Sequence, residues 1–266
     1  MSAKPLFEVR KVSKAFGQAV LLEQADLEVF PNETLAIIGD SGSGKSVFLK
    51  MLAGLVPIDE GEILYKGERV ADMDRSALDR LHRQVGYVFQ SDALFDSMTV
   101  LDNIGYGLRE HTKMDDAAIR ARAESCIDLV NLKRADLEKF PASLSGGMRK
   151  RVALARAIAI EPEVILYDEP TQGLDPQNIT NIAQMIEQLQ RDLKATSVVV
   201  THDMRTAFGV SDRIVLLHEH KFQFGGTPQE LLHTKEPILR EFIDEAMEEI
   251  EEMFREQAKG HTVPAP

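Results

Sequence analysis

The chain has 266 residues; at ~150 residues per domain that makes one large compact unit or two smaller ones, and it excludes collagen, small disulfide scaffolds and coiled coils. Hydrophobic residues at 44% and charged residues at 28% are the balance of a soluble globular protein with enough apolar side chains for a core. Lysine plus arginine number 31 against 43 aspartate plus glutamate, and the net charge of −12 argues against nonspecific nucleic-acid binding, which needs a basic face to displace counterions from phosphate. The single cysteine, Cys126, has no intramolecular partner for a disulfide or a metal cluster, which points to a reducing compartment and a small buried side chain. No stretch approaches the ~18 apolar residues that cross a bilayer, and no apolar signal core follows the N-terminal Met-Ser-Ala-Lys-Pro. The expectation is a cytosolic protein whose membrane role, if any, comes through a partner.

Leu6 to Val12 and Val20 to Phe30 alternate apolar and polar side chains, predicting two strands joined by a turn at Gly17 and a small antiparallel sheet. Thr34 to Ile38 reads as a short strand that runs into a glycine-rich loop, after which Lys45 to Leu55 carries helical spacing up to Gly54. Glu62 to Tyr65 and Val85 to Phe89 read as strands, and Val100 to Arg109, Asp115 to Asn131 and Met148 to Ile160 as helices. Val164 to Tyr167 and Ser197 to Val200 are short apolar runs of the kind found in buried parallel strands, with helical periodicity between them over Asn178 to Leu193. Buried strands alternating with helices predict an α/β sheet with right-handed crossovers, into which a helix-rich stretch at about 91–160 is inserted. From Pro237 the chain turns acidic, and Phe242, Ile243, Met247, Ile250 and Phe254 fall at helical spacing among the acids, predicting an amphipathic helix.

Gly39-Asp40-Ser41-Gly42-Ser43-Gly44-Lys45-Ser46 fits the phosphate-loop pattern, and it stands between a predicted strand and a predicted helix. Each position has a physical task. Glycines let successive backbone N–H groups curl around phosphates, the helix N-terminus adds a favourable dipole, Lys45 neutralises terminal-phosphate charge, and Ser46 offers a hydroxyl to Mg²⁺. Val164 to Tyr167 then delivers two adjacent acids: Asp168 to hold the metal and Glu169 to polarise an attacking water. Leu144-Ser145-Gly146-Gly147-Met148 opens a basic helix and makes a second phosphate-binding terminus, which in a chain already provided with a phosphate loop suggests use in trans, with a plain helix cap at Ser145 as the alternative.

This last segment resembles the signature motif of the ABC transporter ATPases, and the likeness extends over about 6–236. The resemblance implies a P-loop NTPase (RecA-like) core sheet with an N-terminal antiparallel β subdomain and an inserted α-helical subdomain, followed by the acidic helix and tail at 237–266. It implies ATP and Mg²⁺ as ligands, with the ATP site running through Val47, and a second copy of the chain that sandwiches two ATP molecules. Phe16 stands where the family places an adenine-stacking aromatic, a core phenylalanine being the alternative; Gln90 resembles the Q-loop glutamine that touches magnesium; Gly173-Leu174-Asp175 resembles the D-loop. His202, 33 residues after Glu169, resembles the switch histidine that contacts the γ-phosphate. Catalysis is thereby assigned to Glu169 and His202 with Lys45 and Gln90, and metal binding to Ser46, Gln90 and Asp168.

Gly44 to Val47, the stretch Phe89-Gln90-Ser91-Asp92-Ala93-Leu94-Phe95, the run Leu108 to Thr112, and methionine in place of the usual glutamine at Met148 resemble the ATPases of Mla/Mce-type lipid transport systems. That implies a pair of ATPases on the cytoplasmic face of the inner membrane, bound to permease subunits that Leu94, Phe95 and Met98 would contact, with an MCE-domain protein beyond the membrane and, in some members, a small STAS-domain partner. Asp40, where proline is common, and Gln172 and Gly173, where serine and alanine are frequent, depart from the pattern. Other classes weighed are an ABC ATPase acting on another substrate, one acting on ribosomes or DNA, which usually carries tandem cassettes or a coiled-coil insertion, and a nucleotide sensor, which would not need Glu169 and His202. The acidic helix is either a dimer or partner handle or a helix packed on its own subunit.

Overall fold

In the computed structural model, which describes residues 4–248 together with 250, 251 and 255, the alternating segments near the start form β1 (Phe7–Phe16) and β2 (Ala19–Val29). These pair antiparallel, and β1 also pairs antiparallel with β4 (Glu60–Tyr65), to which the two-residue β5 (Glu68–Arg69) adds an edge. A second sheet contains β3 (Thr34–Ile38), β6 (Val85–Val88), β7 (Val164–Asp168), β8 (Thr196–Val200), β9 (Arg213–His218) and β10 (Lys221–Gly226) in the order β10-β9-β3-β8-β7-β6. All neighbours in it are parallel except β10, which returns antiparallel on β9. Strands β3, β7 and β8 are buried along their whole length, as expected of parallel strands covered on both faces.

Period-two alternation decides which core each strand residue enters. Leu35 and Ile37 join Leu166, Val198 and Val200 against α1 (Lys45–Leu52), whose Phe48, Leu49, Met51 and Leu52 are buried between the two sheets. Each such apolar side chain contributes about 1.5–3 kcal/mol on burial. The opposite face of β7 and β8, through Ile165, Tyr167 and Val199, packs on α3 (Val100–His111), α4 (Asp116–Leu129), α5 (Gly146–Ile158) and α6 (Pro176–Leu193). Cys126 is buried in that layer, and burial pushes its thiol up to about 11, so it is an unreactive packing residue.

Several boundaries differ from the sequence expectation for local reasons. Helix α1 stops at Leu52 rather than Leu55: Gly54 takes a φ of 68°, and the N–H groups of Gly54 and Leu55 donate back to Met51 and Lys50 carbonyls at 3.0 and 2.8 Å, a Schellman ending. Helix α6 begins at Pro176, two residues before the periodicity, because Asp175 caps it and proline needs no donor at that position. Helix α5 likewise begins at Gly146, since the Ser145 hydroxyl accepts the Met148 N–H. Not anticipated were α2 (Arg75–Gln84), α7 (Met204–Val210), α8 (Pro228–Leu232), β5, β9 and β10.

The acidic segment begins with α9 (Pro237–Glu245). Its Leu239 and Ile243, with Ile250, are buried against Ala36 and Ile38 of β3, Ile214 and Leu216 of β9, and Met204 and Phe208 of α7. The apolar stripe is thus used within its own subunit, while Glu241, Asp244 and Glu251 remain outward. Of the expected helix and tail at 237–266, Phe254 and the other residues among 249, 252–254 and 256–266 lie outside the described residues. Ile243→Ala is expected to lower the free energy of unfolding by about 2–5 kcal/mol with no change in self-association, as read by chemical denaturation and light scattering. Altered self-association with unchanged stability would return the stripe to a partner.

Candidate functional site

The parallel strands deliver their carboxyl ends to one crevice, the usual location of ligands in open α/β sheets. Strand β3 ends in the loop Gly39–Gly44, β7 ends in Asp168 and Glu169, β8 leads to His202, and β6 leads to Gln90. Together they form a cleft of about 290 Å³ lined by Leu21, Ser41, Gly42, Gly44, Lys45, Ser46, Val47, Gln90, Glu169, Gln172 and His202.

The loop has room only for glycine at its base. Gly39 has a φ of 147°, and a Cβ there would stand 2.4 Å from the Leu217 carbonyl oxygen. The Lys45 ammonium, 5% exposed, donates to the carbonyls of Gly39 (2.7 Å) and Asp40 (2.8 Å). Burial lowers its pKa, against the opposing pull of Glu169, Asp40 and Asp168. The Ser43 hydroxyl is buried without a hydrogen-bond partner in the middle of this loop, a polar atom suited to an incoming anion. Asp40 is exposed rather than turned into the cleft.

Asp168 is 3% exposed and is held from two sides: the Ser46 hydroxyl donates to Oδ1 at 2.6 Å and the Tyr87 hydroxyl to Oδ2 at 3.2 Å. Burial first, and then the Asp168 carboxylate, push the Tyr87 phenol above its usual range, so it remains a donor. Glu169 has a left-handed φ of 48° and donates its N–H to the Val200 carbonyl at 2.9 Å. Its Oε2 accepts the His202 N–H at 3.3 Å and lies 2.9 Å from His202 Nδ1. An ionised Glu169 requires a hydrogen on Nδ1, so that Nε2 is the acceptor of a neutral ring or a second donor of a doubly protonated one. Gln90 donates its side-chain amide to the Gln172 side-chain carbonyl.

Three sequence-predicted elements lie outside this cleft. Phe16 is 53% exposed, with the Lys14 ammonium 4.9 Å from its ring centre. The Leu144–Met148 turn has Leu144 buried and Ser145 exposed. Asp175 caps α6, accepting from the Asn178 backbone (3.1 Å) and side chain (2.6 Å), bonds that hold its carboxyl below the usual range. The last two adjoin, since a Cβ on Gly147 would stand 3.0 Å from Asn178 Oδ1. Sequence reasoning missed Tyr87, Gln172 as a cleft residue, and Lys150, whose ammonium donates to the Gln90 carbonyl. A tyrosine inside an otherwise apolar buried strand was the available signal for the first, because its hydroxyl needs a partner.

Comparison with known proteins bears on this arrangement. Residues 22–172 match the ABC transporter family. Over 89% of its length the chain is 39% identical to the probable ribonucleotide transport ATP-binding protein mkl of Mycobacterium leprae, covering 68% of that protein. Over 84% it is 40% identical to the sulfate/thiosulfate import ATP-binding protein CysA of Photorhabdus laumondii, covering 61% of that protein. The chain therefore spans about two thirds of the length of these curated relatives. Its fold matches the dimeric post-hydrolysis structure of the ATP-binding cassette MJ0796 bound to ADP and Pi, with a TM-score of 0.77 and 31% identity over 84% of this chain and 98% of that one. It also matches cbiO1 of Clostridium perfringens, with a TM-score of 0.78 and 26% identity over 94% and 99% of the two chains. The cleft with its glycine loop, the antiparallel sheet, the mixed sheet and the helical layer thus occur together in a chain that belongs to the ABC transporter family, as an ATP-binding and ATP-hydrolysing subunit.

Proposed function

We propose that the cleft binds ATP with Mg²⁺ and that two copies of the chain close head to tail on two nucleotides. Each nucleotide would be gripped by Gly39–Val47 of one copy and Leu144–Met148 of the other, driving transport through a membrane permease. The observation that carries the reading is the buried Glu169 carboxylate, tied to His202 in the same cleft as Lys45 and Ser46, while the exposed Ser145 turn lies outside that cleft.

Ser46 Oγ, Asp168 Oδ1 and the Gln90 amide oxygen are hard oxygen donors that fit magnesium, and among the described residues no cluster of three or more His, Cys, Asp or Glu side chains competes for it. Bound there, the ion would neutralise phosphate charge. Lys45 would exchange two neutral carbonyl acceptors for anionic phosphate oxygens, which form stronger charge-assisted bonds. Glu169 would take the proton of the attacking water, and His202 would hold Glu169 by Nδ1 while its Nε2, in a doubly protonated ring, would donate to the γ-phosphate. Closure by a second copy would exclude bulk water and complete the site. Phe16, well exposed, would receive the adenine, and Asp175 would meet the other copy.

The permease contact is assigned to the loop after β6. Phe95 and Tyr106 are 42% and 39% exposed with ring centres 4.9 Å apart. Fully buried Asn103 fixes this loop, accepting the Phe95 N–H at 2.8 Å and donating to the carbonyls of Phe95, Met98 and Thr99. No helix among the described residues is long and apolar enough to cross a membrane, which fits attachment to the cytoplasmic face of the inner membrane through such a contact. The stretches around Val47, Gln90, Leu108 and Met148 support an Mla/Mce-type phospholipid system with an MCE-domain protein and a STAS-domain partner. The curated relatives bear ribonucleotide and sulfate/thiosulfate names, so the cargo is settled by lipid analysis of the complex purified from membranes. Phospholipid enrichment supports the assignment, and stimulation of hydrolysis by sulfate or a ribonucleotide without enrichment overturns it.

Glu169→Gln is expected to lower steady-state hydrolysis by about 10²–10⁴-fold while retaining ATP binding and favouring a closed dimer, read by phosphate release, nucleotide titration and light scattering. Undiminished turnover removes Glu169 from the role of base. Phe95→Asp is expected to keep nucleotide binding and lose copurification with the permease, because the charge would have to be buried in the contact. Normal assembly of that variant places the contact elsewhere.

A further inference from the structure

The segment that follows Gln90 is strained. Asp92 and Ala93 both occupy the left-handed region, at φ 63° and 49°, and neither is glycine. Such conformations cost of order 1–2 kcal/mol per residue and persist only where the surroundings over-determine them. Here the surroundings are three cations of α5, the helix that begins at the Ser145 turn. Arg156 donates to the Ala93 carbonyl at 2.7 Å and to the Asp92 carbonyl at 2.9 Å, although burial lowers its pKa. Arg149 stands 3.6 Å from the Asp92 carboxylate. The Lys150 ammonium lies 3.1 Å from Asp92 Oδ1 and donates to the Gln90 carbonyl.

The Lys150 side chain is 6% exposed and that of Asp92 12%. A buried ion pair of this kind often adds little stability over an apolar pair of equal volume, because desolvation offsets the attraction. The consequence of the pair is geometric. With its carbonyl held by Lys150 and its side chain held by Gln172, Gln90 is fixed at both ends, one of them belonging to the Ser145 helix.

We propose that Lys150, paired with Asp92, is a positioning residue that fixes the main chain at Gln90 and so links the position of the Ser145 helix to the placement of the Gln90 side chain in the cleft. The proposal rests on the reading of Gln90 as a residue at the phosphate end of the nucleotide. Lys150 itself lies outside the cleft and acts through Gln90 alone.

The test is a double-mutant cycle on the purified full chain, with Lys150→Met, Gln90→Ala and the double variant, read by kcat and KM for ATP hydrolysis, binding of a fluorescent ATP analogue, and thermal unfolding. Lys150→Met is expected to lower kcat about tenfold, as small misplacements of a working group do, with analogue affinity unchanged and no further loss when Gln90 is already alanine. Multiplying losses, an undiminished kcat for Lys150→Met beside an impaired Gln90→Ala, or loss of analogue affinity together with kcat overturns the proposal. An undiminished kcat for Gln90→Ala instead removes the reading of Gln90 itself, a distinguishable failure. Should Lys150→Met unfold, Asp92→Asn removes the counterion at constant volume, and the same non-additivity with Gln90→Ala is required of it.

Discussion

Everything in the cleft depends on the register of three parallel strands. Ile37 of β3 and Asp168 of β7 both pair with Val200 of β8, so the three lie on one line across the sheet. The next residues along each strand are therefore brought together: the base of the glycine loop, Glu169, and the Thr201–His202 turn. Two further bonds pin the line, from the Thr201 N–H to the Ile37 carbonyl at 3.2 Å and from the Glu169 N–H to the Val200 carbonyl at 2.9 Å. A slip of one residue would displace a functional group by about 3.3 Å and turn it to the opposite face. The apolar alternation of Leu35, Ile37, Val198 and Val200 on one side, and Ala36, Ile38 and Val199 on the other, makes that slip expensive. Packing thus sets the positions of Lys45, Ser46, Asp168, Glu169 and His202 before any ligand contributes.

Charge within this frame is arranged locally, against the sign of the whole molecule. A chain of net charge −12 has to attract a triphosphate, and two buried acids stand beside the loop. The compensation is short-ranged: one buried lysine, the N-terminus of α1, and backbone N–H groups of a glycine loop. Asp168 further accepts hydrogen bonds from the hydroxyls of Ser46 and Tyr87, and Glu169 from the His202 backbone N–H. Because Lys45 rests on carbonyls of its own loop, its charge stays satisfied and oriented without a ligand. Such preorganisation would lower the reorganisation needed if phosphate took the place of those carbonyls, as proposed.

The site was legible in the sequence wherever a strand ran straight into a motif. Gly39–Ser46, Asp168 with Glu169, Gln90 and His202 all follow short apolar runs, and the register of those runs brings Ser41, Gly42, Gly44, Lys45, Ser46, Gln90, Glu169 and His202 to one cleft, with Asp168 bonded to Ser46 behind it. Most elements missing from the sequence reading lacked such runs, whereas β9 was overlooked although Ile214 to Leu217 is a buried apolar run. Helix α2 buries only Ala77 and Leu81 among charged neighbours, α7 spans seven residues, and β10 ends in two glycines on the sheet edge. Long-range partners were illegible for a different reason. Tyr87 reaches Asp168 across 81 positions and Lys150 reaches the Gln90 carbonyl across 60, distances over which single-sequence spacing carries no signal.

The residues outside the cleft are connected to it, and the order of the connections matters for the proposed dimer. Gly147, two residues after Ser145, abuts Asn178; Asn178 binds Asp175; and the chain between Asp175 and Glu169 carries Gln172, which holds Gln90. From the same turn, α5 reaches Gln90 by a second route through Lys150. A nucleotide seated on the Ser145 turn by the opposite copy would press on both routes, and both converge on one glutamine that lines the cleft of this copy. Coupling between the two sites then needs no large rearrangement, since packed side chains have few alternative positions and a displaced Asn178 or Lys150 must move what it touches.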